Sequence, residues 1–403
     1  MNVLFLTVVR FLDINDHELY QDLMRGFRDN GHNVYVVTPR ERRYGEKTEL
    51  REINGAHILG VRTFNLQKTS VIEKGIGTLM IENQFEAAIK KYIKGVDFDL
   101  IIYSTPPITF PNVIKYLKKE YLRARTYLLL KDIFPQNALD LGMLSTSGIK
   151  GVLYRYFRNK EKKLYALSDY IGCMSPANVK YVLDHNPEVA PEKVEIAPNT
   201  IDLCEQPEFD RKAILTKYGL PLDRPVLIYG GNLGKPQGIP FLIECLDANK
   251  NRNDCHFLII GDGVEYSSIE SWRNQAEPTN VSLFKRLPKL DFEMLTRACD
   301  VGLVFLDHRF TIPNYPSRSL SYMMNKLPLL IASDVVSDMG PIAEENGFGF
   351  WCESNSVSSF NDVLNKMLNS DLKTMGERGY QFLCNNYLVS NTYETISKHI
   401  IHN

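Results

Sequence analysis

Nothing in this sequence suggests a disulfide framework, a thiolate metal site or a membrane span. Seven cysteines (Cys173, Cys204, Cys245, Cys255, Cys299, Cys352 and Cys384) are scattered over 403 residues and never fall as C-x-x-C. That excludes a cysteine-stapled module or zinc ribbon and points to a reducing compartment. Apolar runs such as Leu327-Pro328-Leu329-Leu330-Ile331-Ala332 stay far below the roughly 18 to 20 residues that a span requires. The start, Met1-Asn2-Val3-Leu4-Phe5-Leu6-Thr7-Val8-Val9-Arg10, carries neither a basic leader nor a small-residue cleavage site. An excess of one charge is missing as well. Against 47 basic residues stand 48 acidic ones, a net −1, so no overall field argues for nucleic acid. No G-x-G-x-x-G follows the first strand and no Walker pattern occurs, which removes the usual dehydrogenase and P-loop signatures. What remains is ordinary globular material, 44% hydrophobic and 24% charged, long enough for two or three domains.

Short β-branched runs alternate with helix-period segments along the whole chain, the pattern of parallel sheets covered by helices. Strands are expected over 3–9, 34–38, 100–103, 126–130, 170–174 and 194–196, with a helix over 17–30 stopped by Gly31. A charged segment over 202–225 carrying Pro207, Pro221 and Pro225 reads as a linker. A second series of strands follows over 226–229, 257–260, 281–284, 301–305 and 329–332. The expected architecture is α/β, with two Rossmann-like doubly wound domains over 1–200 and 201–379 facing a central cleft. The helical tail over 380–403 is expected to pack back on the first domain.

Four motifs could carry chemistry. Tyr229-Gly230-Gly231-Asn232-Leu233-Gly234-Lys235-Pro236-Gln237-Gly238 joins a strand to a helix; its glycines allow close backbone approach, its amides favour an anion, and Lys235 adds a charge. Ile259-Ile260-Gly261-Asp262-Gly263 ends the next strand, where ligands sit in open α/β sheets, although Asp262 also suits a turn-stabilising Asx role. Tyr315-Pro316-Ser317-Arg318 opens a helix whose Ser317 and Arg318 amides and Arg318 guanidinium suit a phosphate, the plain alternative being a capped helix with a solvated Arg. Lys131-Asp132-Ile133-Phe134-Pro135-Gln136-Asn137 places Asp132 just past a strand, fit to bind sugar hydroxyls or a developing positive charge, or simply to cap a helix. Thr105 and Asn199 lie in loops at corresponding strand ends.

Neutrality also hides an asymmetry. Residues 111–165 hold twelve basic residues against four acids, +8 here and −9 elsewhere. Within it, 148–165 interleaves Ile149, Val152, Leu153, Tyr154, Tyr156 and Phe157 with bases. That suits an anionic bilayer, to which each nearby base contributes about 1 kcal/mol, or else a solvated face.

Taken in order, Gly31-His32-Asn33-Val34, Asp132, Ser175-Pro176, Pro198-Asn199-Thr200-Ile201-Asp202, Gly231-Asn232-Leu233, Gly261-Asp262-Gly263 and Pro316-Ser317-Arg318 resemble the family 4 retaining glycosyltransferases of the GT-B fold. The wording of 131–136, the pair Gly231-Asn232-Leu233-Gly234 and Gln237-Gly238, and Pro316-Ser317-Arg318 look most like the branch that builds bacterial capsules and O-antigens, including N-acetylfucosaminyltransferases. The resemblance implies a nucleotide-sugar donor, UDP-linked ahead of GDP- or dTDP-linked, no metal, and a polyprenyl-diphosphate-linked acceptor. The protein would be cytoplasmic and peripheral at the inner membrane, touching its anionic surface through 111–165.

Asn232 and Gln237 stand where the broader family has the Arg and Lys that hold the donor diphosphate, which leaves Lys235 and Arg318 for that role. Ser321 and Pro313 replace the family's pair of Glu residues. By analogy Arg286 and Leu287 border the nucleobase, and the loop with Arg10, Asp16 and His17 serves the acceptor. Asp132, Lys235 and Arg318 are the expected catalytic residues. Two rival readings share the outline. A non-hydrolysing nucleotide-sugar epimerase would need carboxylate and His groups together, but the eight His residues show no such clustering. An inactive GT-B scaffold would fit the missing Glu pair.

Overall fold

A computed structural model describes residues 1–66, 69–203 and 208–401; Cys204 and Pro207 of the expected linker lie outside these. The chain divides into two compact units, Met1–Asp202 with Leu388–Asn403, and Leu203–Tyr387.

In the first unit the strands are β1 (Asn2–Leu6), β2 (Asn33–Glu41), β3 (Glu49–Ile53), β4 (Ala56–Thr63), β5 (Leu100–Ser104), β6 (Arg125–Leu130), β7 (Tyr170–Cys173) and β8 (Val194–Ile196). They form one sheet in the order β3-β4-β2-β1-β5-β6-β7-β8. All pairs are parallel except β3–β4, a hairpin turned at Asn54-Gly55 with both residues at positive φ. The helices are α1 (Leu19–Asp29), α2 (Val71–Tyr92), α3 (Pro111–Glu120), α4 (Gln136–Asp140), α5 (Gly148–Leu167) and α6 (Pro176–His185). Strand residues such as Val3, Phe5, Val34, Val36, Leu100 and Ile102 pack with Leu23, Met24 and Phe27 of α1 in one buried core.

The second unit repeats the plan. Its strands β9 (Val226–Asn232), β10 (His256–Asp262), β11 (Val281–Phe284), β12 (Val301–Phe305), β13 (Leu329–Ser333) and β14 (Gly349–Glu353) run parallel in the order β11-β10-β9-β12-β13-β14. Around them lie α7 (Arg211–Lys217), α8 (Ile239–Asn249), α9 (Tyr266–Ala276), α10 (Lys289–Ala298), α11 (Arg318–Met324), α12 (Met339–Glu345), α13 (Val357–Leu368) and α14 (Leu372–Asn386). The strands are buried along nearly their whole length, as a sheet covered on both faces requires.

The tail departs from the expected boundary at residue 380. Residues 380–387 still belong to the second unit, because the Phe382 ring packs tilted against Phe348 at 5.0 Å and the Tyr387 hydroxyl donates to that of Tyr315 at 2.7 Å. The return comes at Leu388, and α15 (Val389–Ile401) is the helix that packs on the first unit. There Tyr393 meets Phe27 edge-on at 5.0 Å, and His399 stacks on Tyr170 at 3.6 Å while bonding Glu195 at 2.8 Å.

Candidate functional site

The richest cluster lies at the carboxyl end of the second sheet. β9 ends in Gly230-Gly231-Asn232, and Gly231 takes φ +133, a region that residues with a side chain rarely enter. A Cβ there would stand 3.3 Å from the Arg318 guanidinium, so the glycine keeps the strand end open beneath that side chain. Arg318 leaves the first turn of α11 and lies over the Tyr229 ring, 4.7 Å from its centroid. One turn later the Tyr322 hydroxyl accepts the Gly230 amide at 2.9 Å. The Tyr229 hydroxyl donates to the Asn232 carbonyl at 2.8 Å. Tyr229 and Tyr322 thus frame the strand end from below, two residues that strand and helix spacing alone did not single out. Within this frame the Arg318 Nη1 is buried and has no hydrogen-bond partner among the described residues. A buried guanidinium nitrogen left unbonded is costly in an empty site and is relieved by an anionic ligand.

The rest of the glycine loop arranges itself around this charge. Asn232 Nδ2 donates to Gln237 Oε1 at 3.1 Å, and the Gly234 amide reaches the same oxygen at 3.3 Å. Asn232 and Gln237 therefore brace the loop as a neutral, hydrogen-bonded pair. Lys235 is exposed on the same turn. A Cβ on Gly261 would lie 2.1 Å from the Gly231 carbonyl, so the paired ends of β9 and β10 leave no room for a side chain there. Asp262 receives the Leu233 amide on its carbonyl at 3.0 Å and lines a cavity of about 370 Å³ with Gly263, Tyr266, Ser267, Lys285 and Arg286. Leu287 is partly buried just beyond these residues.

At the helix start, Ser317 has helical backbone angles and no side-chain cap, while the Ser319 amide and hydroxyl both donate to the Pro316 carbonyl at 3.1 and 2.8 Å. The Pro316–Ser319 turn is thus closed on itself. Ser321 is partly buried and gives its carbonyl to Asn325.

In the first unit Asp132 follows β6, partly buried, with one carboxylate oxygen accepting from Asn137 Nδ2 at 2.7 Å. Loss of solvent pushes its carboxyl up to about 6, against the pull of Asn137 and the Ile133 amide. Its neighbour Lys131 is pushed down to about 7 by burial and donates to the Ala197 carbonyl at 2.8 Å, two residues before Asn199. Thr105 braces the same turn. Its hydroxyl accepts the amides of Lys131 and Asp132 at 3.0 and 3.3 Å and donates back to the Asp132 carbonyl, fixing the turn that carries the acid.

The loop after β1 is tightly held. Arg25 on α1 binds the carbonyls of Ile14 and Asp16 at 2.9 and 3.1 Å, and the carboxylates of Asp22 and Asp202. Asp16 therefore contributes its backbone here, and His17 Nδ1 lies 3.4 Å from the same guanidinium. Arg10 pairs with Glu46 and stacks on Tyr44 at 4.2 Å, its charge already answered. Among the described residues no three His, Cys, Asp or Glu gather as they would around a metal ion, and no helix is long and apolar enough to cross a membrane.

The basic run over 111–165 is not a single patch. Lys118 pairs with Asp169 at 2.8 Å, Lys160 with Glu82 at 2.8 Å, Lys162 with Glu188 at 3.0 Å and Arg158 with Glu161 at 2.6 Å. Acids from outside the run answer several of its charges.

Residues 19–205 match the family described as Glycosyltransferase Family 4, and residues 210–382 match Glycosyl transferases group 1. A relative described as "Probable glycosyltransferase WbjE", from Pseudomonas aeruginosa, is 23% identical over 339 residues, 79% of this chain and 78% of its own length. Among solved structures, sucrose-phosphate synthase from Thermosynechococcus elongatus superposes with TM-score 0.76 at 12% identity, over 99% of this chain and 98% of that one. WaaG, a glycosyltransferase involved in lipopolysaccharide biosynthesis, gives 0.66 at 16%, covering both chains fully. HepE of Anabaena, in complex with UDP and glucose, gives 0.69 at 14%, again covering both chains fully. At these identities the structures speak for the fold alone.

Proposed function

The chain is a family 4 glycosyltransferase of the GT-B fold, and on that premise we propose that it transfers a sugar, with retention, to a polyprenyl-diphosphate-linked oligosaccharide. The donor is a nucleotide sugar, UDP-linked ahead of GDP- or dTDP-linked, and the sugar class is an N-acetylated deoxy hexose such as N-acetylfucosamine. The product belongs to a capsule or O-antigen, built at the cytoplasmic face of the inner membrane by a peripheral protein. In support, the HepE structure was solved with UDP and glucose, and WaaG is involved in lipopolysaccharide biosynthesis.

The observation that carries the reading is Arg318. Its buried, unbonded Nη1 lies over Tyr229 and beside Gly231, where a diphosphate would supply the missing acceptor. Exposed Lys235 adds charge to the leaving group. In the reaction the bond between the anomeric carbon and the phosphate oxygen breaks, and the acceptor oxygen bonds the same face of the sugar. The acceptor's proton passes to the departing phosphate oxygen. The protein then needs no side-chain base, only fixed charge where charge develops. Asp132 serves the acceptor side, steadying the positive character of the sugar or an acceptor hydroxyl.

A thermal-shift panel of nucleotide sugars tests the donor assignment. A ligand at one hundred times its Kd stabilises the native state by about 2.7 kcal/mol. A UDP-sugar is expected to raise the melting temperature of the wild type and to lose that effect in Arg318→Ala. No shift with any nucleotide sugar, or an equal shift in the variant, contradicts it.

A further inference from the structure

Between β4 and β5, and between β6 and β7, the chain returns through α2 and α5. Both helices therefore start at the carboxyl end of the first unit's sheet and run back along it. Glu82 of α2 ties them together: it pairs with Lys160 of α5 at 2.8 Å and accepts the Asn112 amide at the start of α3 at 3.0 Å. The shorter α3 thus begins level with Glu82 and Lys160, and the earlier turns of α2 and α5 project past it. At helical rise, Ile149 stands about 16 Å beyond Lys160, and Ile76 about 9 Å beyond Glu82.

The projecting turns expose apolar side chains. On α5 they are Ile149 (90% exposed), Val152 (59%), Leu153 and Tyr156, one stripe at helical spacing; on α2, Ile76, Leu79 and Met80 are also exposed. From 148 to 160, α5 carries Lys150, Arg155, Arg158 and Lys160 and no acidic residue. Lys150 makes no ion pair among the described residues, and Arg155 reaches only the Thr146 carbonyl, at 3.4 Å.

We propose that this two-helix rim docks the protein on an anionic bilayer, with Ile149, Val152 and Leu153 entering the acyl boundary and Lys150 and Arg155 at the headgroups. An apolar stripe flanked by unopposed bases matches the two layers of such a surface. A second copy of the same face would bring like charges together, which argues against a self-dimer there. The inference rests on the lipid-linked acceptor reading for its membrane, and it narrows that reading. The contact is the rim at one end of the sheet, not the whole basic stretch, whose remaining bases are partly paired or, like Arg123 and Arg125, flank the opposite, amino end of β6.

The test is co-sedimentation of the full-length protein, without donor, with vesicles of phosphatidylethanolamine and phosphatidylglycerol. The wild type should bind, and Ile149→Glu with Val152→Glu should lose at least tenfold in partitioning with unchanged thermal unfolding. Leu122 is the control, 85% exposed just beyond α3 at the opposite end of the sheet, and Leu122→Glu should bind as the wild type does. Absence of wild-type binding overturns the proposal, as does equal loss in Leu122→Glu, or a doubling of mass in solution that the double variant abolishes. Transfer to a water-soluble acceptor, measured in parallel, reports on the transferase reading alone, so the two fail separately.

Discussion

Replacing Arg318 with alanine is expected to lower kcat/KM for sugar transfer by about 10²–10³-fold, the loss typical of removing one preorganised charge from a site where negative charge develops. Stability should hardly change. Arg318 forms no salt bridge among the described residues, and its stacking on Tyr229 at 4.7 Å is worth about 1 kcal/mol or less. This separation of effects distinguishes a ligand-binding guanidinium from a structural one, which would lose both together. Arg318→Lys should recover only part of the activity, because a point charge cannot reproduce the planar fork over Gly231. Steady-state kinetics and thermal unfolding on the same preparations check both halves of the expectation. Normal turnover in Arg318→Ala would remove the residue from the mechanism.

The second large effect is expected at Asp132, where Asp132→Asn should reduce transfer by about 10²-fold, as removing one fixed charge from a site where charge develops commonly does. Its carboxyl is raised to about 6 because burial disfavours the charged form. The native state therefore holds this proton more tightly than the unfolded chain does. Stability from this group is greatest below the ordinary carboxylate range and declines as pH rises through about 6. Above that pH the ionised acid costs stability, so Asp132→Asn should unfold at the same or a higher temperature at pH 7.5 while transferring poorly. Activity runs the other way. If the ionised form acts, kcat/KM should fall as pH drops through about 6 in the wild type, and that inflection should be missing in the variant. Lys131, depressed to about 7, titrates close by, and it stays in both proteins. Comparing the two pH profiles isolates the acid.

Two parallel sheets were legible because buried strands and amphipathic helices write different periods into the sequence. The β3–β4 hairpin escaped although Asn54-Gly55 announces it: Arg51 and Glu52 interrupt the apolar pattern on an edge strand that is largely exposed. The crossing at Leu388 escaped for another reason. Residues 380–401 read as continuous helix, and no glycine or proline marks the change of unit; the break is made by Tyr387 meeting Tyr315, 72 positions away in the chain. At the site, Gly231 and Arg318 were readable one by one. Their meeting over Tyr229 was not, since it depends on which helix returns beside β9. The pairing of charges within 111–165 was hidden in the same way, because a count along the chain cannot see Glu82, Asp169 and Glu188 folding back on Lys160, Lys118 and Lys162.

The most direct test of the account is to incubate the protein with a labelled UDP-N-acetyl sugar, with and without a polyprenyl-diphosphate-linked oligosaccharide, and to follow label into the organic phase. Label should appear there only when the acceptor is present, and the new linkage should keep the donor's anomeric configuration. Conversion of the donor sugar with no acceptor, as an epimerase would give, or label that stays on the nucleotide across a panel of lipid-linked acceptors, contradicts it.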